Sequence, residues 1–384
     1  MIRILLELLA VPPLAAAGYL LLLTLFSRRA PAARGRGRTR FDVVIPAHDE
    51  ERGIARTVRS ILETDYAADL RRVLVVADNC SDSTAAHAAA AGARVLVRDD
   101  PERRGKGRAL AFAFERSLAD GFADAIVVVD ADSAVSPNLL SAFAARLERG
   151  ALAVQAGPAV LNRDDSCRTR LMSLALALFN GVRSLGRDNL GLSCGLRGNG
   201  MCIATTVLRA HPYGAFSLVE DLEYGIELAR AGIRVEYAGE TAVASEMVSE
   251  SRSAASQRRR WEQGRASLSR QLLLPLLRNA FARRSLLLLD AAVDLLVPPL
   301  SSLVLALAAG LGVALFASAP AWPWLAGLAF VAIYVARGWS LSGLGFSGLR
   351  ALAWTPFYVM WKVSKVSRAT PTEWVRTARE AGAS

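Results

Sequence analysis

Long apolar runs at the two ends of the chain enclose a middle in which apolar runs are short and bounded by charge. Ile4–Phe26 is apolar almost throughout and long enough to cross a bilayer. From Phe41 the pattern changes. Phe41–Pro46, Val73–Val76, Ala93–Val97 and Ala125–Val129 are rich in β-branched residues and read as strands. Glu50–Leu62, a stretch capped by Ser81 or Asp82 and running to Ala91, and Gly105–Leu118 read as the helices between them. Such alternation predicts an α/β fold with a mainly parallel sheet and helices on both faces. Ala151–Val160 reads as an edge strand and Cys167–Leu185 as a helix, while Val219-Glu220-Asp221-Leu222-Glu223 opens a helix through Ala231. Leu286–Phe316 is broken by Pro298-Pro299, so it reads as an interfacial piece followed by a span from about Leu300. Ala321–Trp339 is a further span, edged by Trp322, Trp324 and Trp339. Leu341–Trp361, interrupted by Arg350, reads as lying at the interface.

Charge orients these segments. Arg28, Arg29, Arg34, Arg36, Arg38 and Arg40 follow the first span, which places the N-terminus outside and the middle of the chain in the cytoplasm. Lys362, Lys365, Arg368, Arg376 and Arg379 keep the tail on the same side, which two spans after the middle region satisfy. A signal peptide cleaved near Ala15-Ala16-Ala17 is the alternative, but its basic start is weak and the charge bias is reversed. The expected organisation is a transmembrane helix over 1–27, a basic cytoplasmic linker over 28–40 and a cytoplasmic catalytic domain over 41–265. An interfacial amphipathic region over 266–299, two transmembrane helices over 300–339, and an interfacial helix with a basic tail over 340–384 complete it. The expected location is the cell membrane, multi-pass.

The 384 residues are 53% hydrophobic, yet 21% are charged, which fits segregation of apolar residues to the ends. The net charge of +11 suits anionic lipid and nucleotide phosphates. No nucleic-acid motif is present, so nucleic acid is not an expected partner. Cys80, Cys167, Cys194 and Cys202 show no CxxC spacing, which argues against disulfides and structural zinc.

In a parallel sheet, ligands bind at the carboxyl ends of the strands. Three polar clusters fall there: Pro46-Ala47-His48-Asp49-Glu50, Asp78-Asn79-Cys80-Ser81-Asp82 and Asp130-Ala131-Asp132. Asp130 and Asp132 can offer oxygens to a hard divalent cation that holds a diphosphate, or they can form an ordinary acidic turn. Arg103-Arg104-Gly105-Lys106-Gly107-Arg108 suits an anion at a helix start, although it lacks Walker spacing. Gly191–Gly200 holds four glycines, so backbone can approach a ligand there. Glu220 and Asp221 sit in a first helical turn, where acids are also ordinary dipole partners. Ser256-Gln257-Arg258-Arg259-Arg260-Trp261 suits a diphosphate or a lipid surface. Asp290 and Asp294 share a helical face, either lining a polar path or meeting the headgroups.

The ordered set Val44-Ile45-Pro46, Glu50, Asp78, Gly105-Lys106, Asp130-Ala131-Asp132, Glu220-Asp221 and Gln257-x-x-Arg260-Trp261 resembles the membrane-integrated family 2 glycosyltransferases. That group includes cellulose, hyaluronan and poly-N-acetylglucosamine synthases and ceramide glucosyltransferases. Val219 departs from the Thr that many relatives carry before Glu-Asp. The resemblance implies a GT-A nucleotide-sugar-binding domain flanked by transmembrane and interfacial helices. It implies that Pro46, Glu50, Asp78, Lys106 and Asp130 line the nucleotide-sugar site, with Asp78 on the base and Lys106 near the phosphates. It further implies that Asp132 holds Mg²⁺ or Mn²⁺, that Asp221 is the general base, and that Gln257, Arg260 and Trp261 close over the diphosphate. The implied activity is inverting transfer from a nucleotide-sugar donor, a UDP-sugar, to a growing polysaccharide or cell-surface glycan. Single transfer to a membrane lipid is the alternative acceptor chemistry, and a non-catalytic nucleotide-binding scaffold is the contrasting class. Membrane lipids are expected partners, and a homo-oligomer or export partner would be needed if so few spans are to pass a polymer.

Overall fold

The computed structural model describes residues 2–29, 35–247 and 251–353, with the side chains of 2, 251–263, 265 and 266 outside that description. The chain divides into two compact units, one formed by Met1–Arg28, Asp164–Gly191 and Gln271–Ala369, the other by Arg29–Arg163 and Leu192–Arg270. Asp164–Gly191 therefore packs with terminal helices, whereas the sequence pattern leaves it inside the span 41–265.

The second unit is built on one eight-stranded sheet. Its strands are β1 (Phe41–Ala47), β2 (Arg71–Asp78), β3 (Arg94–Arg98), β4 (Ala125–Val128), β5 (Ser133–Val135), β6 (Ala153–Val160), β7 (Met201–Ala204) and β8 (Val235–Ser245). Their spatial order is β3-β2-β1-β4-β7-β6-β8-β5. β1 runs parallel to β2 and β4, and β2 to β3, as right-sized apolar strands separated by helices require. β7 lies antiparallel to β4 and β6, and β5 to β8, while β6 and β8 are parallel. The fold is thus α/β with a mainly parallel, mixed sheet.

The apolar face of each element explains its place. Ile54, Val58 and Ile61 of the helix Ile54–Leu62 are fully buried, as are Leu139, Leu140 and Phe143 of the helix Leu139–Leu147, in one core with Val43, Ile45, Val75 and Val127. This is the i, i+3, i+4, i+7 stripe expected of a helix lying on a sheet. The first of these helices begins four residues later than the apolar pattern alone predicts. Asp49 adopts φ +54°, and a turn closed by Gly53 and Ile54 N–H donating to the Glu50 carbonyl comes first. β6 is the other correction: it is an interior strand between β7 and β8, not an edge.

The first unit is helical. Ile2–Leu25 carries Pro12 and Pro13 within it. Cys167–Leu176 and Arg183–Asn189 are joined by a wide π-type turn over Ala177–Val182, where the sequence pattern suggests one uninterrupted helix ending at Leu185. By length and apolarity, Arg3–Leu25 and Trp322–Ser342 can each cross a membrane. Leu286–Leu296 and Leu300–Phe316 meet at a bend of 68° and qualify only as a pair. The break falls at Pro298-Pro299, which withhold N–H groups where the helix would continue, and the next helix begins at Leu300. Leu341 and Ser342 end the helix Trp322–Ser342, Gly345–Ala353 is a short helix, and residues 354–361 and the basic tail lie outside the described residues.

One close approach in this unit gives a test of its packing. A Cβ added at Gly186 would collide with the Leu23 carbonyl oxygen and come within 2.8 Å of the Leu23 Cα. Both are main-chain atoms that no rotamer change can move. Gly186→Ala is expected to cost about 1–3 kcal/mol through overpacking, read as a lower unfolding temperature of the full chain in detergent.

Candidate active site

The site forms where β1, β2 and β4 end. At β2, Asp78 is buried and its carboxylate accepts from Arg98 Nη1 at 2.6 Å and from Asn79 Nδ2 at 2.9 Å. Burial raises the Asp78 pKa, and the Arg98 guanidinium opposes the rise. His48 Nδ1 lies 2.7 Å from the Asp78 carbonyl oxygen, and Asp49 Oδ1 accepts from the Ser81 N–H at 2.7 Å. The loops after β1 and β2 are stitched together by these bonds. Pro46, in β1 opposite Val76, shapes the strand end, and the Glu50 N–H donates to Thr84 Oγ1 at 2.7 Å.

The charged centre lies beside β4. Lys106, the first residue of the helix Lys106–Asp120, reaches Asp130 Oδ1 at 2.5 Å and donates to the Gly198 carbonyl at 3.0 Å. Glu220 Oε1 lies 3.9 Å from the same ammonium. Asp221 is adjacent: a Cβ built on Gly198 would sit 3.2 Å from Asp221 Oδ2 and 3.3 Å from Lys106 Nζ. Gly198 holds φ +73°, so it meets both the conformational and the spatial demand for glycine. Glu220 and Asp221 start the helix Glu220–Arg230, whose N-terminal dipole favours negative charge.

Electrostatics follow from this crowding. Burial pushes the Glu220 carboxyl up to about 7, with Lys106 pulling it down and Asp221 adding to the rise. Burial also raises Asp221, again against Lys106. For Lys106, burial works against the ammonium, but Asp130 and Glu220 outweigh it and hold its pKa above the ordinary lysine range. Lys106 therefore serves three carboxylates, and Arg197 adds its pull on Asp221.

Asp132 is half-buried; its carboxylate accepts from Ser133 Oγ at 3.3 Å and its carbonyl from Arg56 Nη2 at 3.5 Å. Among the described residues, the group that brings three ligand-type atoms within 4.8 Å of one another is Asp49, Cys80 and Asp82, not the Asp130–Asp132 pair. Two carboxylates nevertheless suit Mg²⁺ or Mn²⁺, which bind through one or two such groups and take their other oxygens from substrate phosphates and water. The hard oxygen donors at Asp130 and Asp132 fit such an ion.

Lys106, Asp130, Glu220 and Asp221 thus converge. Asp78 is engaged instead with Arg98, a residue that local sequence does not single out. Gln257, Arg260 and Trp261 fall in the helix Ser251–Ala282, with side chains outside the described residues. Sequence also passes over Asn199, Gln155 and Ser245. Gln155 is buried, and its Nε2 donates to the Asn199 carbonyl at 2.7 Å while its Oε1 accepts from the Arg197 N–H at 2.9 Å. The glycine density of 191–200 was the available signal for this loop.

A mixed α/β sheet with a lysine and three acids gathered at its strand ends defines a candidate group-transfer site. Residues 39–264 match the family described as glycosyltransferase like family 2, and the chain belongs to that family. It is similar to the glycosyltransferase AglD of Haloferax volcanii, 31% identical over 171 residues, 43% of this chain and 27% of that protein. It is similar over more of its length to an N-acetylglucosaminyltransferase of Sinorhizobium fredii, 28% identical over 334 residues, 80% of this chain and 76% of that protein. The chain spans 27%, 48% and 29% of the length of three curated relatives that it matches. In fold it resembles the mannosyltransferase PcManGT from Pyrobaculum calidifontis, solved with GDP-Man and Mn²⁺. The TM-score is 0.55 at 18% identity, covering 92% of this chain and 99% of that one.

Proposed function

We propose that this glycosyltransferase is inverting and metal-dependent, and moves a sugar from a nucleoside diphosphate, a UDP-sugar, to a growing polysaccharide or cell-surface glycan at the cytoplasmic face of the cell membrane. The observation that carries this reading is the meeting of Lys106 with Asp130 on one side and Glu220-Asp221 on the other. The N-acetylglucosaminyltransferase relative, matched over 76% of its length, is named for transfer of a sugar unit and supports the sugar-transfer chemistry. Among the described residues, two single helices and one bent pair are apolar and long enough to cross a membrane, an arrangement that favours the second reading, transfer of a single sugar to a membrane lipid.

The chemistry needs two charges managed. As the bond from the acceptor oxygen to the anomeric carbon forms, the bond from that carbon to the diphosphate breaks. Asp221 takes the acceptor proton, a role that requires its ionised form. Lys106 meets the negative charge that develops on the leaving diphosphate. Asp132, with Asp130, would hold the divalent ion, which when bound supplies further neutralisation of that charge. Only one base is needed for a single displacement, hence inversion at the anomeric carbon.

Purified full chain in nanodiscs, offered UDP- and GDP-sugars with Mg²⁺ or Mn²⁺, should release nucleoside diphosphate with one donor and stop on chelation. Product that stays at the chromatographic origin supports the glycan acceptor, and product that migrates with lipid refutes it. Release that persists in excess chelator would refute metal dependence.

A further inference from the structure

The two acids of the Asp130-Ala131-Asp132 stretch lie in a tight turn between β4 and β5, and these three residues belong to neither strand. The ladder hands over at Val128, whose carbonyl accepts the Gly200 N–H at 2.9 Å, and at Val129, whose N–H donates to the Val44 carbonyl at 3.0 Å. The next residue, Asp130, begins a turn closed by the Ser133 N–H donating to the Asp130 carbonyl at 3.1 Å. Asp132 is inside this turn. The Thr57 hydroxyl holds the middle of the turn, donating to the Ala131 carbonyl at 2.8 Å, and the two ends are held separately.

Asn199 grips both. Its Oδ1 accepts the Asp130 N–H at 3.0 Å, and its Nδ2 donates to Ser133 Oγ at 2.8 Å and Ser245 Oγ at 2.9 Å. Ser133 Oγ in turn lies 3.3 Å from Asp132 Oδ1, to which it donates, and 2.9 Å from Ser245 Oγ. The amide can face only one way, because reversing it would set an N–H against an N–H and leave the serine oxygens without their donor. The same loop presents the Gly198 carbonyl to Lys106, and the buried Gln155 amide holds it from beneath. One side chain thus touches the backbone of the first acid and, through a single hydroxyl, the carboxylate of the second.

We infer that Asn199 is a positioning residue that sets the separation and aim of Asp130 and Asp132 for a divalent cation, an inference that rests on the metal-dependent reading above. Groups that orient a metal's carboxylate ligands without touching the ion commonly govern its affinity, and their loss weakens it by about 10–100-fold. A staple that merely stabilised the loop would lower the unfolding temperature and leave the affinity of the folded protein unchanged.

The experiment is a Mn²⁺ titration followed by electron paramagnetic resonance. It uses full chain in detergent, with UDP in one arm and GDP in the other, alongside a thermal melt of each sample. Asn199→Ala should raise the Mn²⁺ dissociation constant by about tenfold or more. Ser133→Ala, which cuts only the link to Asp132, should raise it by less. Asn138→Ala removes a different loop staple, the bond from Asn138 Nδ2 to the Glu240 carbonyl, and should leave the dissociation constant as it is. Wild-type affinity in both folded Asn199→Ala and Ser133→Ala overturns the positioning role while the metal reading stands. No Mn²⁺ binding by the wild type in either arm, or undiminished binding by Asp132→Ala, overturns the metal reading and the positioning role with it.

Discussion

Asp221→Asn is expected to cut sugar transfer by about 10²–10⁴-fold, the usual contribution of a positioned general base, with donor binding nearly unchanged. The amide is isosteric, so the turn and the helix start at Glu220 survive. What disappears is the capacity to take the acceptor proton. Burial raises both Glu220 and Asp221, and Lys106 only partly offsets it. A base with a raised pKa is ionised only above that pKa, so the rate falls as pH drops through it. The acid limb of the wild-type pH–rate profile should therefore lie above the ordinary carboxylate range, and Asn at 221 should flatten it. Turnover and donor affinity measured separately on the variant decide the matter: wild-type turnover excludes Asp221 as the base, and lost donor affinity reassigns it to binding.

How much of this could be read from sequence depends on chain distance. The strands of the parallel half announce themselves, because Val43-Val44-Ile45 and Val127-Val128-Val129 are apolar runs of β-branched residues that only a buried strand uses well. Their alternation with helices fixes which ends carry the polar loops. The antiparallel half was less legible. β7 is four residues long and follows a glycine-rich loop, so nothing marked Met201–Ala204 as the strand that covers β6. Side chains that act through partners far along the chain were silent. Asn199 has meaning only once Asp130 and Ser133 stand beside it, and Arg98 only once it meets Asp78. Asp290 and Asp294 were visible as a helical face with two open readings. Their partners, Arg183 and Arg187, lie in the Ala177–Asn189 stretch that sequence left within the catalytic span.

That ionic cluster supplies the largest expected loss of stability. Arg187 is buried in the helical unit, and its Nε lies 3.1 Å from Asp290 Oδ2. The same guanidinium pairs with Asp294, and its Nη2 donates to the Tyr19 hydroxyl at 2.7 Å. Tyr19 in turn donates to Asp290 Oδ1 at 2.6 Å, and Arg183 also pairs with Asp294. Among the described residues, two cations thus balance two anions at this buried site. Arg187→Met keeps most of the volume but leaves two carboxylates with one guanidinium. Removing a single partner from a buried pair costs about 3–5 kcal/mol, far more than exchanging the whole set for apolar residues. The variant should therefore melt well below the wild type in detergent. Adding Asp290→Asn to it restores neutrality and should recover part of the loss, which a double-mutant cycle reads as a coupling energy. If Arg187→Met melts with the wild type, the cluster is solvated and its charges are not interdependent. If the single loss is large but Asp290→Asn recovers none of it, Arg187 acts through packing rather than charge.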